Sequence, residues 1–131
     1  MHFACGFETS KFDVTKEQKN PINPIYGESL LLWLKDRLLS QLEITVPEAE
    51  DWGWYSYVNW KGRQYMLGAS AYFDEGDDPN EEVSWIFQLT KERSLKEVLL
   101  FQEKMKADDE CLIFFTSIFN EDSDFHNIVR V

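Results

Sequence analysis

Few side chains in this sequence are of the kinds that do chemistry, and their spacing argues against most of what they could do. The histidines are His2 and His126, and the cysteines are Cys5 and Cys111. A nucleophilic cysteine needs a base within hydrogen-bond reach. His2 and Cys5 are three residues apart, so in a strand they point to opposite faces and form no local pair. A Cys111–His126 dyad requires the fold to bring two distant residues together. The ordinary role of either cysteine is that of a small core or boundary residue. Neither belongs to a CxxC pair, so the sequence encodes neither a zinc site nor a thioredoxin-like couple.

Carboxylates are the other reactive groups in supply. The segment Asp74-Glu75-Gly76-Asp77-Asp78-Pro79-Asn80-Glu81-Glu82 has enough oxygen ligands for calcium. It lacks the alternating ligand spacing and the sixth-position glycine of an EF-hand loop, and reads as a solvated acidic loop. Retaining or inverting glycoside hydrolysis needs two carboxylates, but nothing singles out one pair among so many. No phosphate-cradling glycine loop, HExxH or GxSxG occurs. The sequence therefore indicates no catalytic residue, metal ligand or cofactor.

Charge narrows the partners. The chain has 24 Asp and Glu against 13 Lys and Arg, a net −11, spread over several clusters instead of one tail. Nucleic acids and anionic lipid headgroups are bound by neutralising their phosphates with Lys and Arg, so neither is expected as a partner. A basic protein surface is a better match, although the same carboxylates also serve solubility. The widely separated cysteines fit a reduced, cytoplasmic protein. Met1-His2-Phe3-Ala4-Cys5 has no basic n-region ahead of an apolar stretch, and no run is long and apolar enough for a membrane span, so secretion and insertion are not expected.

What stands out is the run from Asp51 to Gly68, which holds three of the five tryptophans and three of the five tyrosines. Asn59-Trp60-Lys61-Gly62 fits a three-residue hairpin loop, a type I turn with Gly62 in a G1 bulge. That loop pairs Asn59 with Arg63 and Tyr57 with Tyr65. One face of the hairpin then carries Trp52, Trp54, Val58 and Met66; the other carries Tyr55, Tyr57, Asn59, Arg63 and Tyr65. Trp and Tyr give large contact area at low entropic cost, which suits binding surfaces. Either this second face is an exposed docking patch, with Asp51 beside it, or helices cover both faces and the tyrosines fill cross-strand positions.

The elements around the hairpin follow from periodicity. The 131 residues fit one domain, residues 1–131, large enough to need no metal or disulfide staple. Residues 1–7 read as a first strand. Two Asn-Pro steps, at Asn20-Pro21 and Asn23-Pro24, favour a turn, with Asn23 as N-cap and Pro24 at the first helical position. Leu30, Leu31, Leu34, Leu38 and then Leu42 share one face of a helix predicted over 28–41. Val83, Trp85, Phe87 and Leu89 alternate with Ser84, Ile86 and Gln88, as in a strand with one buried face. Ser94-Leu95-Lys96-Glu97 is a capping box opening a helix that carries Leu95, Val98 and Leu99 and is expected to extend to Met105. Asp108, Asp109 and Glu110 suit the start of another helix, preferred over a strand for 111–119, and 125–131 closes as a strand. The fold class is α+β: a mainly antiparallel sheet of about five strands with two or three helices, in the order β-α-β-β-β-α-α-β.

The segments Glu50-Asp51-Trp52-Gly53-Trp54-Tyr55 and Trp60-Lys61-Gly62-Arg63, with Met1-His2-Phe3 and Ser94-Leu95-Lys96-Glu97, resemble a group of small uncharacterised bacterial proteins of similar length. That resemblance spans most of the chain and implies a bacterial, cytosolic protein, with no activity to carry over. In size and charge the chain also resembles small acidic immunity proteins that neutralise bacterial toxins, without a diagnostic motif. The leading expectation is a non-enzymatic module docking a basic or mixed protein surface through the hairpin, an immunity-like inhibitor being its sharpest form. The alternative is a small-ligand protein or enzyme with a pocket between sheet and helices. No motif specifies an oligomeric state.

Overall fold

A computed structural model describes residues 2–131 and shows a single α+β arrangement. One antiparallel sheet contains six strands: β1 (His2–Thr9), β2 (Glu48–Glu50), β3 (Gly53–Trp60), β4 (Arg63–Tyr72), β5 (Val83–Lys91) and β6 (His126–Arg130). They lie in the order β2-β3-β4-β5-β1-β6. The helices are α1 (Glu28–Arg37), α2 (Leu95–Leu99) and α3 (Glu110–Glu121). The extra strand relative to the sequence reading is β2, three residues whose Glu-Ala-Glu carries no hydrophobic pattern and which exists by pairing with β3.

The helix side of the sheet is the core. Trp54 and Val58 of β3, Leu67 and Ala69 of β4, Trp85, Phe87 and Leu89 of β5, and Cys5 and Phe7 of β1 are all buried. Their alternation with more exposed neighbours puts them on one face. Leu30, Leu31 and Leu34 of α1 are fully buried, as are Phe115 and Phe119 of α3. Phe119 packs with its ring centroid 4.8 Å from Phe7, 5.1 Å from Phe87 and 5.2 Å from Phe125.

The start of α1 departs from the sequence reading. Its N-cap is Gly27, which has no side chain to cap with. The exposed N–H groups are instead met from ten residues upstream: Glu17 accepts from Gly27 N, Glu28 N, Ser29 N and the Ser29 hydroxyl. Glu28, itself buried, accepts from Gln18 N in return. This is the reciprocal logic of a capping box, made between distant residues. Burial raises the Glu17 carboxyl above its ordinary value, against the four hydrogen bonds that favour its ionised form. The helix also stops at Arg37, short of Gln41.

The asparagines of the Asn-Pro steps are not helix starters. Buried Asn20 donates to Glu50 O and Gly53 O, both at 2.9 Å, while its own side-chain oxygen accepts from Ile22 N and Asn23 N. Asn23 donates to Asp51 O at 2.8 Å. Together they hold the β2–β3 turn in place. The helix expected from the Ser94 capping box does form, with both reciprocal bonds present, but it ends at Leu99, short of Met105. The helix over 111–119 is also present, capped by Asp109, which accepts from Cys111 N and Leu112 N. No helix among the described residues is long and apolar enough to cross a membrane.

Candidate functional site

The hairpin forms, but in a different register. Its loop is the two residues Lys61 and Gly62, with φ of 49° and 87°, and Trp60 pairs with Arg63, Val58 with Tyr65 and Tyr57 with Met66. Asn59 closes the loop by accepting from Gly62 N at 2.9 Å. Positive φ at both central positions is the signature of a type I′ turn, whose twist matches the strands it joins. A slip of one residue exchanges the faces of a strand. Here it moves Tyr65 to the core side and Met66 to the open side.

The expected patch is therefore divided. Tyr55, Tyr57 and Asn59 stand on the face away from the helices, whereas Arg63 and Tyr65 stand on the helix face. Tyr65 is 4% exposed and its hydroxyl donates to Asp109 Oδ2 at 2.7 Å, bracing β4 against the cap of α3. Burial and the neighbouring carboxylate raise its phenol. Arg63 grips Glu97 of α2 with two nitrogens, each at 2.8 Å, and donates to Glu92 O. That bidentate bond pulls the Glu97 carboxyl down to about 2. Asp51 is exposed in the β2–β3 turn.

No helix covers the open face. Apart from Gly53 and Gly68, every residue of described burial whose strand register places it there is at least partly exposed. The rings of Tyr55 and Tyr57 meet edge to face at 5.6 Å. Trp52, in the turn, brings its ring against Gly68, the residue paired with Tyr55, where a Cβ would come within 2.8 Å of that ring and 2.6 Å of Gln88. Gly68 thus leaves room for the Trp52 ring to approach the sheet backbone. The charged strand residues on this face are the carboxylates Glu8, Glu48 and Glu50, and none of its described strand positions carries Lys or Arg. Partial burial and the adjacent Glu48 charge raise the Tyr55 phenol. The surface is aromatic, shallow and negative.

No family model matches the chain, and no curated protein or solved structure is significantly similar to it. What it does must be read from its own surface.

Among the described residues both cysteines are buried and His126 is engaged on both ring nitrogens. Cys5 is buried and its thiol pushed up to about 12; burial likewise raises Cys111, which has no exposed surface. Such thiols are poor nucleophiles, since the thiolate is the reactive form. His126 is exposed, with one ring nitrogen 2.9 Å from Ser123 O and the other 2.7 Å from Glu82. With both nitrogens engaged, it forms no dyad with the buried Cys111. In the acidic loop Asp77 and Asp78 accept from nearby backbone N–H groups. Among the described residues no group of three or more His, Cys, Asp and Glu is placed to hold a metal.

Sequence reasoning assigned Trp52 and Met66 to the wrong face and missed Asn20. The missed signal for Trp52 was Gly68, a glycine opposite Tyr55 in the middle of a strand, where close approach of another group is a standing reason for its presence.

Proposed function

We propose that this chain is a non-enzymatic protein-binding module that docks a basic or mixed-charge protein through the open face of its sheet. Trp52, Tyr55, Tyr57 and Met66 form the contact centre, and Asp51, Glu48 and Glu50 form its acidic margin. The observation that carries this reading is the uncovered aromatic cluster on a face whose charged strand residues are all carboxylates. Exposed aromatic clusters with a charged margin supply affinity from the rings and partner selection from the charges. Tyr and Trp rings also attract Lys and Arg through their π faces. An immunity-like inhibitor that covers a basic site on its target is the sharpest form of the proposal.

The test compares wild type with a Tyr55→Ala/Tyr57→Ala variant. A protein captured from lysate is purified and its binding titrated against both. Both side chains are partly exposed, so the variant is expected to keep the fold, checked by near-ultraviolet circular dichroism. Binding is expected to weaken at least about tenfold in the variant and to fall as salt rises. Equal affinity for both chains, or an affinity indifferent to salt, overturns the reading.

A further inference from the structure

A second surface, at the hairpin-turn end of the sheet and independent of the open face, carries a contiguous run of exposed apolar side chains. Helix α2 has no buried residue. Leu95 is 74% exposed, Leu99 66% and Phe101 74%, with Val98 and Leu100 also exposed between them. Segments of this kind usually bury such side chains, and neighbouring exposed apolar residues mark interaction sites. Polar contacts hold the segment to the body: Arg63 to Glu97, Lys91 to Glu103 at 3.0 Å, and Arg93 to Gln102 O at 3.0 Å. The chain then turns through left-handed conformations at Phe101 and Glu103, with φ of 55° and 56°, before Met105 returns to the core. This keeps Phe101 outward, beside a cleft of about 480 Å³ that it lines with Lys104, Lys106 and Asp108.

Charge indicates what covers this surface. Residues 91–110 hold five Lys or Arg against six Asp or Glu, so they carry −1 of the chain's −11. Two copies approaching through most of the rest of the surface would meet strong like-charge repulsion. At this end the charges nearly balance and both signs alternate around the apolar run. An anionic bilayer calls for a clear excess of cations here, which the segment lacks. A mixed-sign margin around an apolar centre is self-complementary, as a two-fold contact requires.

We propose that α2 and residues 100–106 form the two-fold interface of a homodimer, the occupant being a second copy of this chain. Leu95, Leu99 and Phe101 form its apolar centre, and Lys and Glu side chains of the margin pair across it. The open sheet faces of both copies stay free.

Analytical ultracentrifugation of the full chain across micromolar concentrations tests this, with three proteins compared: wild type, Leu99→Gln/Phe101→Asn, and Tyr57→Ser. Asn is chosen because it tolerates the left-handed backbone at position 101. Wild type and Tyr57→Ser are expected to sediment at twice the chain mass. The double variant is expected at the chain mass, or with a dissociation constant at least about tenfold higher. Circular dichroism establishes that each variant is folded. A monomeric wild type overturns the proposal, whether or not it binds anionic vesicles. So does a folded double variant that dimerises as tightly as wild type, or a dimer lost only in Tyr57→Ser.

Discussion

Helices α2 and α3 begin alike and end differently. Each opens on a side-chain cap, the Ser94–Glu97 box in one and Asp109 in the other. Yet α3 buries Cys111, Leu112, Phe115, Ile118 and Phe119, while α2 buries nothing. A cap satisfies backbone donors and so fixes where a helix starts. It says nothing about which surface the helix will face. The leucines of α2 have the composition of a core helix and stand exposed to solvent.

Substitutions should separate the two helices by size of effect. Phe119→Ala removes a fully buried ring that contacts three others, and is expected to cost about 3–5 kcal/mol in chemical denaturation. A cost below about 1 kcal/mol would place α3 among the loosely attached elements as well. Tyr65→Phe deletes the hydroxyl that braces the α3 cap, with an expected loss of about 1–2 kcal/mol by the same measurement. No loss would mean that Asp109 caps α3 equally well alone.

Acid should act on α2 first. The folded-state carboxyl of Glu97, at about 2, lies below its ordinary 4.5, so its contribution is complete above pH 4.5 and declines as pH falls toward 2. Amide-exchange protection in α2 is expected to drop over that window while α3 stays protected. Equal loss in both would make them one cooperative unit. The smallest effect is expected for Leu99→Ala, within about 0.5 kcal/mol at concentrations where the chain is monomeric. A larger loss would show that Leu99 packs within its own copy.

Much of the fold was legible in the sequence because periodicity reports directly on burial. The alternation of Val83 to Leu89, the leucine face of α1 and the caps of α2 and α3 all reappear in the structure. The hairpin register was not legible. Asn59-Trp60-Lys61-Gly62 suits both a bulged loop and a tight one, and the tight loop puts non-glycine Lys61 at positive φ, which local rules disfavour. The choice is made by β5, against which Tyr65, Leu67 and Ala69 must present the same face as Leu89 and Phe87. The cap of α1 was hidden for a related reason, since Glu17 stands ten residues from the helix it serves. Of the candidate site, Tyr55 and Tyr57 were placed together correctly; Tyr65 and Arg63 were separated from them by one residue of slip.

The position of β1 bears on how the molecule comes to be folded. It lies between β5 and β6, with His2 opposite Thr90 and Thr9 opposite Val83. During synthesis the first strand therefore has no partner until two-thirds of the chain has been made. The β3–β4 hairpin and α1 are complete well before that, and contacts so distant in sequence slow the final closure. The nascent chain carries Phe3 and Phe7 unpaired through that interval, and β6, whose one neighbour in the sheet is β1, can join only after it.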